Sequence, residues 1–336
     1  MTDTNDKMLR RLVAFVAVAF TLVFSHASPA RALEMPSPLR ELRANIHRLV
    51  TRLPAASALE VLDLSTGLHV SYNAGASMPA ASTIKIPVMV EVFRQLEAGR
   101  FTLQRKMTLL ARDKDYGSGD LCDEPSGTTY TVDDLLSRMI DVSDNTATNM
   151  LIRLVGRPNI NATMLRLGLE HTRLTTDVRT NTWSVRQALR SSPADMVRLL
   201  ALMAKRRLVD AWSSNEMISI LEQDQINTLL PEPLPDDVPI AHKTGSFFDT
   251  LNDVGIVYED DAPYVIAVMT TGLPSLGIGR SFIRNLSRIA FTQEERLASW
   301  RTIAGIPTFV GNGGVMPPDI RYWQNSAASG VGGGGR

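Results

Sequence analysis

The stretch Ser82-Thr83-Ile84-Lys85 begins a segment whose apolar residues recur at helical spacing, and it has two companions further along the chain. The companions are Ser143-Asp144-Asn145 and Lys243-Thr244-Gly245. Each motif by itself is common and is typical of a helix start, a turn or a loop. Together they fall at a helix start, ahead of a second helix and on a strand. This order and spacing indicate one composite site.

The residue types of the first motif suit acyl transfer through a serine ester. Ser82 and Lys85 are three residues apart, so both side chains lie on one face of a helix. A serine hydroxyl needs a base within hydrogen-bond reach. Lysine can be that base when burial or a second cation lowers its pKa, and Lys243 can supply the second cation. We therefore expect Ser82 to be the nucleophile and Lys85 its base.

The other two motifs supply the remaining functions of such a site. Ser143 is placed to pass a proton to the leaving nitrogen, and Asn145 to bind a substrate amide. Lys243 and Thr244 are suited to holding a substrate carboxylate. The backbone N–H groups of Ser82 and Ser246 are the predicted oxyanion hole.

Around these motifs the pattern predicts a single α/β domain over residues 36–300. Two β-rich runs, 58–62 and 68–72, read as a hairpin, and 242–247, 252–258 and 264–271 alternate like an antiparallel meander. Residues 102–230 are mostly helical, and a final helix is expected from Ile278 to Ala290. We expect an antiparallel sheet built from N- and C-terminal segments, flanked by helices, with an inserted all-helical lobe at about 102–230. The extension 301–336 is Gly- and Ser-rich, and disorder is predicted at its end.

Composition excludes several classes of partner and cofactor. The 35 basic residues balance the 35 acidic ones, so the chain has no electrostatic reason to bind nucleic acid. The single cysteine, Cys122, cannot form an internal disulfide and has no histidine at metal-ligand spacing. We predict no metal and no cofactor. A neutral surface without long apolar heptads predicts a monomer.

The first 32 residues have the pattern of a secretory signal. Basic residues at Lys7, Arg10 and Arg11 precede an apolar run over 12–24, and Ala30-Arg31-Ala32 follows as a cleavage site. The run is shorter than the roughly 20 residues of a membrane span. An uncleaved anchor is the alternative. The pattern predicts a bacterial periplasmic or extracellular protein without a stable membrane span after cleavage, exported by the Sec or the twin-arginine route.

In these three motifs the chain resembles the penicillin-recognising serine hydrolases and, among them, the class A β-lactamase-like group. The resemblance runs over about residues 40–295. The resemblance implies an acylated nucleophile at Ser82, its base at Lys85 and a proton shuttle at Ser143. It also implies amide binding by Asn145 and carboxylate binding by Lys243 with Thr244. The implied fold is a mixed sheet flanked by helices, with a helical lobe and a cleft between them.

One departure from that family concerns release of the acyl group. Class A members carry, on the loop after the second motif, a glutamate that activates water for deacylation. In this chain the loop is 172–181 and the glutamate's position holds Val178, while Asn149 matches the asparagine that supports the glutamate. Asp177 is a candidate replacement base. Its alternative role is an ion pair with Arg179 or Arg186.

Three hypotheses therefore remain open from the sequence. The first is an exported hydrolase that opens a β-lactam through a Ser82 acyl-enzyme. The second is a D,D-peptidase or esterase that acts on cell-wall peptides or other acyl compounds. The third is a penicillin-binding or sensing protein that is acylated without turnover. The missing glutamate favours the second and third hypotheses, and the overall resemblance favours the first.

Overall fold

The computed structural model describes residues 35–180, 185–259 and 261–306. The predicted signal segment and the end of the predicted tail lie outside these residues. The strands, in chain order, are β1 (Ala56–Asp63), β2 (His69–Tyr72), β3 (Met78–Pro79), β4 (Lys106–Thr108), β5 (Thr129–Thr131), β6 (Arg173–Leu174), β7 (Leu189–Ser191), β8 (Ile240–Phe247), β9 (Thr250–Val257) and β10 (Tyr264–Thr271). The α-helices are α1 (Ser37–Val50), α2 (Lys85–Glu97), α3 (Val132–Asp141), α4 (Asn145–Val155), α5 (Arg157–Arg166), α6 (Val185–Ala188), α7 (Pro193–Ala204), α8 (Ala211–Leu221) and α9 (Leu276–Ala304).

Five strands form the main sheet, in the order β2-β1-β10-β9-β8. All neighbours are antiparallel, and β1 pairs with β10 from Ala56 opposite Thr271 to Asp63 opposite Tyr264. The N-terminal hairpin and the C-terminal meander therefore complete one sheet, as the sequence predicts. Strand β8, which carries Lys243-Thr244-Gly245, lies at its edge.

Helices cover the sheet. The long terminal helix α9 contacts α1 and strands β9 and β10, while α7 contacts β1, β9 and β10. Every residue of β9 is buried, although successive side chains of a strand point to opposite faces. Both faces of the sheet are thus covered, which explains why β10 is apolar over most of its length.

The inserted block is mostly helical, as predicted, with helix α2 at its centre. Ten of the thirteen residues of α2 are buried, and α2 contacts α4, α5 and α8. Pro87 is the third residue of α2, where the lost N–H would have no partner within the helix. The block also contains the short strand pair β4–β5, and β6 pairs with β7 beside β3. These strands of two or three residues are too short to show a period in sequence.

Two helix boundaries differ from the sequence prediction. The segment at Ser82 begins with a 3₁₀ turn, Ala81–Ile84, and the α-helix follows from Lys85. Helix α9 continues beyond Ala290 to Ala304, where Gly305 ends it in the left-handed conformation. The extra turns bury Leu297, Ala298 and Arg301, which accounts for the longer helix. Among the described residues, no helix has the length and apolar character needed to cross a membrane.

Candidate active site

Ser82 lies on the 3₁₀ turn between β3 and α2, and its position is fixed by the sheet. The side-chain amide of Asn252 on β9 donates to the carbonyl oxygens of Pro79 at 2.8 Å and Ala80 at 3.1 Å. Ala81 adopts a φ of +47°, which is uncommon for a residue other than glycine. The turn before Ser82 is therefore both strained and tied down, as is common at functional positions.

Lys85 is the first residue of α2, and its ammonium is fully buried. Its Nζ lies 2.9 Å from Ser143 Oγ, 2.5 Å from the Ser143 carbonyl oxygen and 2.8 Å from Asn145 Oδ1. Burial, and next the nearby charge of Lys243, hold the pKa of Lys85 well below its ordinary value. The structure thus brings the first two motifs into direct contact and favours a neutral lysine.

Of the three partners of Lys85, only the Ser143 hydroxyl can also donate a hydrogen bond, because the other two are carbonyl oxygens. In the structure Lys85 Nζ donates to Ser143 Oγ, which is the direction in which Lys85 can pass a proton to Ser143. Proton exchange between Lys85 and Ser143 therefore requires no movement of either residue.

The second motif is a tight turn that begins α4. Ser143 has a φ of +57°, again in the left-handed region. The next side chain, Asp144, caps α4 by accepting from Ala147 N at 2.7 Å and also accepts from the backbone of Asp120 and Leu121. Asn145 Nδ2 donates to buried Asp115 Oδ1 at 2.8 Å, which orients the amide oxygen towards Lys85.

The third motif lies on edge strand β8 beside the Ser82 turn. A side chain at Gly245 would place its Cβ 3.0 Å from Ala80 O and 3.1 Å from Ser82 N. The absence of a side chain at Gly245 therefore lets the strand approach the Ser82 turn this closely. Ser246 follows directly and lines the cavity beside Ser82.

Lys243 has a partner that the sequence did not indicate. Its Nζ donates to Asp224 Oδ2 at 2.9 Å, with both side chains fully buried, and the same oxygen accepts from Thr244 N at 3.2 Å. His242, one residue earlier, lies between Asp253 Oδ1 and Asn227 Oδ1, each at 3.0 Å. Burial acts to lower the pKa of His242, but Asp253 outweighs it, and the net pKa is raised. The basic residues Lys243 and His242 thus alternate with the buried acids Asp224 and Asp253, and these pairs hold the third motif in place.

Comparison with known proteins identifies this arrangement. The model of a beta-lactamase enzyme family matches residues 41–293. The chain belongs to the beta-lactamase enzyme family. Its fold and its three motifs are those of a beta-lactamase-like serine hydrolase, and the resemblance noted from the sequence is confirmed.

Several solved structures share the fold. The structure of PBP-A is 29% identical, with a TM-score of 0.72, and the match covers 76% of this chain and 96% of that one. A beta-lactamase from Sphaerobacter thermophilus DSM 20745 is 28% identical, with a TM-score of 0.70 and coverage of 77% and 97%. An ancestral class A beta-lactamase, at 24% identity and a TM-score of 0.69, covers 75% and 99% and shows the likeness of fold alone.

The loop after the second motif, residues 172–181, is joined to helix α4 through Asn149. Asn149 Oδ1 accepts from Val178 N at 2.9 Å, and Asn149 Nδ2 donates to the Val178 carbonyl oxygen at 3.1 Å. The asparagine amide therefore holds the backbone of the loop as a paired strand would. Val178 is buried and lines the cavity beside Ser82. The loop thus presents an apolar side chain, not a carboxylate, to the cavity at this residue.

Asp177 lies away from that cavity lining. Its carboxylate pairs with Arg157 at 2.9 Å and with Arg179 at 3.5 Å, and its side chain is 37% exposed. These contacts favour a structural role for Asp177. Arg157 was not anticipated, because its position twenty residues earlier leaves no local pattern.

The cavity beside Ser82 gathers residues from the turn, from α4, from the loop and from β8. Its lining comprises Pro79, Ala81, Ser82, Asn145, Val178, Thr180, Arg186, Leu189, Ser246 and Phe247. Among the predicted site residues, Ser82, Asn145 and Ser246 line this cavity directly. Lys85, Ser143, Lys243 and Thr244 are buried around it.

The sequence did not predict two acids, Asp115 and Asp224, that hold residues of the site in place. Asp115 accepts from Asn145 Nδ2, from Thr180 N at 2.9 Å and from Thr180 Oγ1 at 2.7 Å. Asp224 is the partner of Lys243. Both are single acids in loops, where aspartate is common, and only the folded chain shows that they are buried. Within the described part of the chain, no group of histidine, cysteine and acidic residues is suited to hold a metal ion.

Proposed function

We propose that this protein opens the ring of β-lactams by forming an acyl-enzyme on Ser82, and that it hydrolyses this intermediate slowly. The observation that carries the first half is the burial of Lys85 against Ser143 and Asn145 with a lowered pKa. The second half is supported by Val178, an apolar residue that lines the cavity beside Ser82 where the resemblance implies a glutamate.

The contacts of Lys85 with Ser143 and Asn145 support the following acylation step. Ser82 Oγ attacks the lactam carbonyl carbon, and its proton passes to the neutral amine of Lys85. The N–H groups of Ser82 and Ser246 are the proposed donors to the developing oxyanion. When the C–N bond breaks, the lactam nitrogen takes a proton from Ser143 Oγ, and Lys85 returns its proton to Ser143 over 2.9 Å. All protons are accounted for, and Lys85 ends as it began.

A substrate of this site is a small cyclic amide or an acyl peptide that carries a carboxylate. Lys243 and Thr244 are the proposed carboxylate-binding residues. A variant of PBP-A, 29% identical to this chain, has been solved as an acyl-enzyme complex with penicillin G. That complex supports the proposal that this fold, with these motifs, accepts a penicillin covalently.

A burst experiment tests the proposal. Purified mature protein is mixed with a chromogenic cephalosporin, and release of colour is followed in time. We expect a burst of about one equivalent followed by a slow steady rate, because the serine is acylated once and released slowly. The Ser82→Ala variant should show no burst. Rapid sustained turnover would contradict slow release, and no burst with intact ester cleavage would favour the peptidase or esterase hypothesis.

The role of Asp177 is tested in the same assay with Asp177→Asn. We expect an unchanged deacylation rate, because its carboxylate is engaged by two arginines. A large fall in the deacylation rate would instead assign Asp177 as the base.

We further propose that the protein is exported to the periplasm or the cell exterior, on the strength of the signal pattern in residues 1–32. Terminal sequencing of protein recovered from the periplasm and medium of a bacterial host tests this. A start at Leu33 is the expected result, and full-length protein retained in the cytoplasm would contradict it.

A further inference from the structure

Arg186 is the charged residue of the cavity beside Ser82. Of the described residues that line it, Arg186 alone has an ionised side chain, and the others are apolar or neutral polar. Its side chain is 20% exposed, so the charge lies at the wall of the cavity and not in bulk water. A half-buried guanidinium beside a reactive serine is a strong candidate for contact with a substrate.

Arg186 is held against the far end of the sheet. Its Nη1 lies 3.3 Å from Asp249 Oδ2, in the turn between β8 and β9, and its Nη2 donates to Thr271 Oγ1 at the end of β10. Thr271 Oγ1 is in turn 2.9 Å from Thr250 Oγ1. The guanidinium is thus positioned by the β8–β9 turn and the end of β10, and it lines the cavity together with Ser246 and Phe247.

The surroundings of Arg186 are positively charged. Arg173 on β6 and Arg190 on β7 pair across their strands. Burial, and next the charges of Arg173 and Arg186, lower the pKa of Arg190. Asp249 is a single acid among these three basic groups. Like charges held this close attract an anion, since they repel one another until it binds.

Lys243 lies in the middle of β8, whereas Arg186 lies beside the C-terminal end of that strand, next to Asp249. Phe247, which lines the cavity beside Arg186, is four residues beyond Lys243, a distance of about 13 Å along a strand. Ser246 and the close approach to Ser82 lie between them. If Lys243 and Thr244 hold the carboxylate on the leaving side of the scissile bond, the group near Arg186 belongs to the acyl side.

We propose that Arg186 binds a carboxylate on the acyl part of the substrate, so that the preferred acyl donors are acidic on that side. This inference rests on the proposed function and specifies its substrate class. Arginine is suited to the task because its planar guanidinium can pair with a carboxylate through two hydrogen bonds. Val178, Leu189 and Phe247 are apolar, so among the described residues that line the cavity Arg186 is the one that can pair with a charged group.

The test compares two penicillins that differ in one group. One is penicillin G, and the other has a carboxylate on the side-chain carbon next to its amide carbonyl. The second-order rate constant for acylation of Ser82 is measured for each by quenched-flow mass spectrometry. In the wild type we expect the acidic compound to be acylated about tenfold faster, as one charge-assisted hydrogen bond would provide.

Variants assign that preference to Arg186. Arg186→Gln should remove the tenfold preference, so that the acidic compound and penicillin G are acylated at similar rates. Asp249→Asn keeps Arg186 and removes its competitor, so the preference should increase. Arg100→Gln, which removes an exposed charge at the end of α2, is the matched control and should preserve the wild-type ratio.

Each result decides between the alternatives. The inference fails if the wild type shows no preference for the acidic compound, or if Arg186→Gln slows both compounds equally. Should Arg186→Gln not fold, an unchanged ratio in Asp249→Asn overturns the inference by itself. Failure of both penicillins to acylate wild-type Ser82 would overturn the proposed function as well, and is distinguished from the other outcomes by the absence of any mass adduct.

Discussion

At the scale of single residues, the site depends on amide side chains that position charged or reactive groups. Asn145 accepts a hydrogen bond from Lys85 and donates one to Asp115, and Asn252 donates to the turn before Ser82. Asn149 hydrogen-bonds to the backbone N–H and carbonyl oxygen of Val178. Because each amide offers both a donor and an acceptor, each one fixes two neighbours at once.

Val178 gives the sharpest prediction at this scale. Val178→Glu places a carboxylate in the cavity lining without removing the Asn149 contacts, which involve only the backbone of residue 178. We expect deacylation to become about a hundredfold faster, the usual contribution of a general base. The rate is measured as loss of the acyl adduct after removal of excess penicillin.

The matched control is Val178→Gln, which has nearly the same shape and cannot act as a base. A Glu variant that deacylates no faster than the Gln variant would show that the valine does not limit release.

The sequence predicted which residues come together around Ser82 because their motifs are local, four residues or fewer in length. It did not predict Asp224, Asp115 or Arg157, whose roles arise only when distant loops meet. No local signal distinguishes a buried aspartate in a loop from a solvated one. Where a single loop residue supports a motif, the folded chain is needed to find it.

At the scale of elements, the long strands and amphipathic helices were predictable because burial imposes a period on their sequences. The two- and three-residue strands were not, and neither was the end of α9. Strand β1 shows how burial in the sheet changes the pKa of a carboxyl group. Glu60 is only 3% exposed, between Ala267 of β10 and Ser71 of β2, and burial raises its pKa to about 7.

Glu60 predicts a pH-dependent stability. The pKa of Glu60 in the folded state lies above the ordinary 4.5, so folding favours its protonated form. The resulting contribution to the free energy of unfolding is complete below pH 4.5 and is lost as the pH rises through 7. We expect Glu60→Gln to be more stable than the wild type at pH 8, by on the order of 3 kcal/mol, and nearly equal at pH 4. Urea unfolding at the two pH values measures the difference. Equal differences at both values would show that Glu60 does not titrate near neutrality.

At the scale of the whole molecule, the two ends of the described chain meet on the sheet. Strand β1 pairs with β10, and Arg301 in the last turn of α9 forms a fully buried ion pair with Asp63 at the end of β1, at 2.5 Å. Removing one partner of such a pair leaves an uncompensated buried charge, which is strongly destabilising. The terminal helix is therefore integral to the fold, although the sequence assigned its last residues, 301–304, to the extension.

The Asn149–Val178 pairing also has a consequence for how the protein would act in a population of antibiotic molecules. Under the proposed function each protein molecule removes one β-lactam and is then occupied for as long as its ester lasts. Over times shorter than the lifetime of the ester, its capacity is set by the number of copies present. Within that time, protein of this kind consumes the drug in proportion to its own amount.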